Sequence, residues 1–147
     1  MRYKALLAIL LLWSGNAWAN SPYEVVYQTI VMEAGDQSFE GQVAVAEVIL
    51  NRVIKSPIKG QKEAFLDVCL APKQFSCWND RKKSKRWLAK HYTAKARQIA
   101  SNALEMATLE YVGHGYTHYH TVGCYPSWAK GYKGVRIEDH VFYRGIA

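Results

Sequence analysis

The sequence contains no G-x-S-x-G, no H-E-x-x-H and no cysteine pair at zinc-site spacing. Motif support for a serine-hydrolase elbow or a zinc enzyme is therefore missing. It also lacks a recognisable nucleic-acid-binding motif, an internal repeat, and a linker long enough to divide 147 residues into two domains. The N-terminal apolar run, residues 5–13, falls short of the ~18 residues expected of a membrane-spanning helix. Cysteine is scarce, with only Cys69, Cys77 and Cys124. An odd number leaves at least one thiol free or intermolecular in an oxidising compartment. Cys69 and Cys77 flank a proline-containing loop and are the expected disulfide, with Cys124 left over. No base is evident beside any of the three, so cysteine catalysis has no support.

What is present begins with a leader. Arg2 and Lys4 form a positive start, residues 5–13 an apolar core, and Ala17-Trp18-Ala19 an A-x-A cleavage signal. The expected organisation is a signal peptide at 1–19 and one domain at 20–147, with export to the periplasm, cell wall or medium. An uncleaved signal anchor is the alternative, and stable membrane insertion after cleavage is not expected. Loss of Arg2 and Lys4 takes the formal charge from +7 to +5. A basic exported protein suits a polyanionic wall or membrane surface, and export argues against nucleic acid as partner. Lys82, Lys83, Lys85, Arg86 and Lys90 concentrate part of that charge on what reads as a solvated face.

The domain centres on 32–53, M-E-A-G-D-Q-S-F-E-G-Q-V-A-V-A-E-V-I-L-N-R-V. From Gln42 onward this stretch is apolar around most of a helix, interrupted by Glu47, Asn51 and Arg52, and belongs in a core. Ser38 can cap it, and Glu40 in the first turn complements the helix N-terminus. Ahead of it, Ser21-Pro22-Tyr23-Glu24 starts a helix, with Glu24 placed as in a capping box. That helix runs to Glu33 and is broken at Gly35. Further helices are expected at 62–70 and 86–112, with a loop or short strand carrying exposed aromatics at 72–78 and a polar surface loop at 79–85. Strands are expected at 117–122, 135–137 and 140–143. Helices first and short strands last predict an α+β fold.

The carboxylate of Glu33 ends one apolar helix beside the main buried one, a place where desolvation favours proton donation. Residue reading alone favours the blander role of a solvated helix-end charge. His118 and His120 lie on one face of a strand, as two metal ligands would. No third ligand stands at a recognisable spacing, so no metal is expected. Phe75, Trp78, Tyr119, Tyr125, Trp128, Tyr132 and Tyr143 stand outside the helical core pattern, and aromatic faces with polar tips are suited to sugar chains.

Five stretches in order then resemble one family. E-A-G-D-Q-S-F-E-G-Q leading to L-N-R-V is similar to the E-A-R-G-E-x-x-E-G-Q opening of bacterial cell wall hydrolases of the spore cortex-lytic (SleB) type. V-C-x-x-P-x-Q-F-S at 68–76, H-Y-H-T at 118–121, P-S-W-A at 126–129 and H-V-F-Y at 140–143 follow. The resemblance implies a single lysozyme-like domain that cleaves peptidoglycan between N-acetylmuramic acid and N-acetylglucosamine, without a cofactor. It places the catalytic acid on Glu33, and the reaction it implies is that of a lytic transglycosylase. It puts Phe75, Ser76, Trp78, His118, Tyr119, His120 and Trp128 along the substrate, with Asp36, Glu40, His140 and Tyr143 in support. The chain departs from the family twice. Gly35-Asp36-Gln37 replaces R-G-E, by substitution or by a shift within the turn, and Glu138-Asp139 replaces the G-N that commonly precedes His140. Two readings compete with the glycosidase: a metal-dependent wall amidase using His118 and His120, and a non-catalytic peptidoglycan-binding module.

Overall fold

The computed structural model describes residues 21–109 and 113–146; the leader assigned to 1–19 lies outside them. Five helices come first among the described residues: α1 (Glu24–Ala34), α2 (Phe39–Lys55), α3 (Gln61–Leu70), α4 (Arg81–His91) and α5 (Ala94–Leu109). Three strands follow: β1 (Tyr116–Thr121), β2 (Val135–Ile137) and β3 (His140–Arg144). They form one antiparallel sheet in the order β1-β3-β2. The fold is α+β, as expected. No helix among the described residues is long and apolar enough to cross a membrane.

The central helix α2 forms where the apolar pattern places it. Ser38 caps it, its hydroxyl accepting from the Gly41 N–H at 3.2 Å. Val45, Ala46, Val48 and Ile49 are fully buried against Val26 and Ile30 of α1 and Phe142 of β3. The polar positions near its end serve the sheet. Asn51 Nδ2 donates to the Tyr116 carbonyl and Arg52 Nε to the Thr117 carbonyl, both at 2.8 Å. Strand β1 is an edge strand with unpaired backbone groups, and these two side chains satisfy two of its carbonyls. That contact fixes where β1 lies against α2.

Five local expectations need correction. The helix expected over 86–112 is, as far as the described residues reach, two helices with a break at Tyr92 and Thr93, and 110–112 lie outside them. Tyr92 leaves the helical path to donate its hydroxyl to Glu24 at 2.6 Å, and Thr93 Oγ1 caps α5 by accepting from the Ala96 N–H. Glu24 is consequently no capping-box acid, since it also accepts from Arg97 Nε at 3.1 Å. The loop expected over 79–85 is mostly the first turn of α4. Asp80 caps that turn, its carboxylate accepting from the Lys82 and Lys83 N–H groups. The basic residues 82, 83, 85, 86 and 90 do lie on its exposed face.

The aromatics of 72–78 are not uniformly exposed. Phe75 is buried to 2 % under the Arg52 guanidinium, 5.1 Å from the ring centre. The expected Cys69–Cys77 bridge is not formed either: all three cysteines are free thiols. Cys69 is buried beside Thr29, and Cys77 faces the Glu33 carboxylate. Burial pushes Cys69 up to about 12. Burial and then the Glu33 charge push Cys77 far higher still. Neither is a thiolate at neutral pH, so neither is a nucleophile. Alkylation of the folded protein is expected to modify exposed Cys124 alone, and unfolding without reductant should expose three thiols. One thiol after unfolding would restore the bridge.

Candidate active site

Glu33 sits in the last turn of α1, where the chain must bend at Gly35 before α2 begins. Its two oxygens have separate donors. Oε2 accepts from the Tyr119 hydroxyl at 2.5 Å and Oε1 from the Cys77 N–H at 3.2 Å. The first donor comes from the middle of β1, the second from the 3₁₀ turn Ser76–Trp78. Three distant parts of the chain thus converge on one partly buried carboxylate. Burial first, and then the Glu33 charge, hold the Tyr119 hydroxyl protonated well above its ordinary range. Tyr119 is a fixed donor to Glu33.

The face of the sheet carrying Tyr119 also carries His140, whose ring meets that of Tyr119 edge-on at 5.1 Å. His140 is 6 % exposed, and its Nδ1 is buried with no hydrogen-bond partner among the described residues. Burial lowers its pKa, while the charges of Glu33, Asp36 and Asp139 pull the other way. Phe75 packs behind Tyr119 at 6.5 Å between ring centres, supporting it rather than lining an open groove.

The turn residues that depart from the family pattern meet each other. Gln37 Nε2 donates to Asp36 Oδ1 at 3.1 Å and to Asp139 Oδ2 at 3.2 Å, while its Oε1 accepts from the Asp139 N–H at 3.2 Å. One position away, Glu138 Oε2 accepts from the Ser38 N–H at 2.6 Å. In a capping box that N–H is satisfied by an acid three residues into the helix. Here that position is Gly41, where a Cβ would lie 3.1 Å from Gln37 Cβ. Glu138 supplies the carboxylate instead, from the far end of the chain and in the left-handed conformation (φ 49°). The turn following Glu33 is thereby latched to the turn preceding His140.

The remaining predicted residues fall elsewhere. His118 and His120 share the opposite face of the sheet, as strand alternation requires. They flank Trp128 at 5.2 and 5.8 Å between ring centres. His120 Nε2 bonds the Tyr143 hydroxyl at 2.8 Å and its Nδ1 the Thr121 carbonyl at 2.9 Å. Trp128 stands edge-on to Tyr143, and Tyr125 beside them is 87 % exposed. Together they form an aromatic cluster, with Trp128 half-buried and Tyr125 exposed. Trp78 is tied down by its Nε1–H to Thr29 Oγ1 at 2.8 Å, and Ser76 is exposed on the same turn. Glu40 lines a separate apolar cavity of about 530 Å³ between α2, α5 and the sheet. Among the described residues no three His, Cys, Asp or Glu side chains are grouped to hold a metal. The Cys77 N–H, Gln37, Glu138 and Asp139 are contacts of the candidate site that sequence reasoning did not assign. The two departures from the family pattern were the one signal for the last three.

A carboxylate held between a tyrosine hydroxyl and a backbone amide, on a small helical domain closed by a short sheet, is the candidate site. Comparison with known families gives it a class. Residues 36–143 match the cell wall hydrolase family, and the chain belongs to that family, whose members are enzymes acting on peptidoglycan. The matched stretch starts at Asp36, so Glu33 stands just ahead of it. No curated protein and no solved structure matches the chain.

Proposed function

We propose that this protein is a lytic transglycosylase of the SleB type that cleaves glycan strands between N-acetylmuramic acid and N-acetylglucosamine, with Glu33 as the acid and base. The observation that carries the reading is the paired donation to Glu33 from Tyr119 and the Cys77 amide. Protonated Glu33 gives its proton to the glycosidic oxygen as the C1–O bond breaks. The resulting carboxylate is stabilised by its two donors. It then removes the proton of the muramyl C6 hydroxyl as that oxygen closes on C1. The proton returns to Glu33 and no water is consumed. One carboxylate suffices because the nucleophile belongs to the substrate. That economy fits a site whose neighbouring acids, Asp36 and Asp139, are already bonded to Gln37.

The reading includes export, with the leader removed after Ala19. Digestion of purified sacculi with the secreted protein tests both parts. Mass spectrometry should find 1,6-anhydromuramyl ends, and the N-terminus should read Asn20-Ser21-Pro22. Reducing ends would make the enzyme a hydrolase, and a retained Met1 would make the leader an anchor.

A further inference from the structure

A second pocket, of about 380 Å³, opens where the C-terminal turn of α2 meets α3 and the edge strand β1. Its walls include Arg52, Lys55, Asp67, Gln74, Thr117 and His118. Arg52 is drawn into the protein. It donates to the Thr117 carbonyl and to Gln74 Oε1 at 3.2 Å, both neutral acceptors. No ion pair among the described residues involves Arg52 or Lys55. Last-turn cations can serve only to offset the helix dipole, but that role does not require a half-buried guanidinium bonded to Thr117 and Gln74. Arg52 feels the charge of Glu33 but bonds no carboxylate among the described residues, so its planar guanidinium is able to receive one. His118 faces the same space. Its Nδ1 is bonded to Thr117 Oγ1 at 3.0 Å. Its pKa is lowered by burial first and then by the charges of Arg52 and Lys55.

We propose that this pocket is a subsite for a carboxylate of the peptide stem carried by peptidoglycan. The inference rests on the peptidoglycan reading above. The glycan itself is uncharged, so the stem carboxylates are the groups a cationic pocket would select. The pocket is mechanically continuous with the acid: Arg52 lies over the Phe75 ring, Phe75 packs on Tyr119, and Tyr119 donates to Glu33. A stem held at Arg52 and Lys55 would orient the sugar bearing it, which is the means by which remote binding energy serves the reacting bond.

The test is a binding titration of the full isotope-labelled protein with a muramyl tripeptide and with its carboxamide form, followed by NMR. The acid should shift the resonances of Thr117 and His118, and the carboxamide should not. Lys55→Glu, on an exposed side chain, should weaken binding of the acid roughly fivefold, while Lys55→Arg should keep it. Equal binding of acid and carboxamide, or shifts confined to other regions, would overturn the subsite. A subsite that binds as expected in a protein giving no product from sacculi would stand, and only the transglycosylase reading would fall.

Discussion

Glu33→Gln is expected to lower product release from sacculi by at least ~100-fold, the lower end for loss of general acid catalysis. The amide has the shape of the carboxyl group and its oxygen can still accept one of the bonds now made by Tyr119 and the Cys77 amide. What it lacks is the proton given to the leaving sugar and the base that later removes one from the C6 hydroxyl. Folding should survive, because the burial that holds α1 in place comes from Val26, Ile30, Val31 and Ala34. Cosedimentation with sacculi should survive for the same reason: the aromatic cluster around Trp128 and the pocket at Arg52 lie off the Glu33 carboxyl. A melting temperature and a binding isotherm close to wild type, with product nearly abolished, would locate the chemistry on this carboxylate. Wild-type turnover in the variant would remove Glu33 from the reaction.

Much of this arrangement could be read from the chain itself, for identifiable reasons. The α2 helix was legible because its apolar residues cover most of a helical circumference, and Ser38 announces its start. The strand alternation of H-Y-H was legible too, but its consequence was not. A period of two sends Tyr119 toward Glu33 and the two histidines to the other face, so residues adjacent in one motif serve different surfaces. Helix α4 was hidden by its composition. Its charged face looked like a loop, although Asp80 is an ordinary cap and Ser84 and Leu88, four apart, are its buried positions. The break after α4 depends on Tyr92 reaching Glu24, a contact across 68 positions that no local pattern announces. Phe75 stands in a loop, and loops usually lie at the surface, whereas Arg52 and Tyr119 close over this one. The second donor to Glu33 is a backbone N–H, and every non-proline residue has one, so no side-chain motif could single out Cys77.

The two departures from the family pattern lead to the other large effect. Gln37→Glu should cost on the order of 2 kcal/mol of stability, because two hydrogen bonds to carboxylates are lost at an accessible site, where each contributes less than the ~1.5–3 kcal/mol of a shielded one. It should also reduce turnover about tenfold, in line with the sensitivity of catalysis to small displacements. In the native protein the Gln37 amide gives its N–H groups to two carboxylates, Asp36 and Asp139. A carboxylate in its place would offer no donor and would face both charges. Its oxygen could still accept from the Asp139 N–H, so the backbone half of the latch persists. Adding Asp139→Asn restores a donor on the opposite side and removes one of the repulsive charges. The double variant should therefore recover at least half of the lost stability, and the two changes should be non-additive in a thermal-denaturation cycle. Turnover is the more telling measurement. The turn at Gln37 follows Glu33 and the turn at Asp139 precedes His140, so loosening the latch lets the acid drift from the face that carries Tyr119. Recovery of kcat together with stability in the double variant would show that the latch positions the acid. Stability recovered without kcat would reduce it to a fastening of the fold.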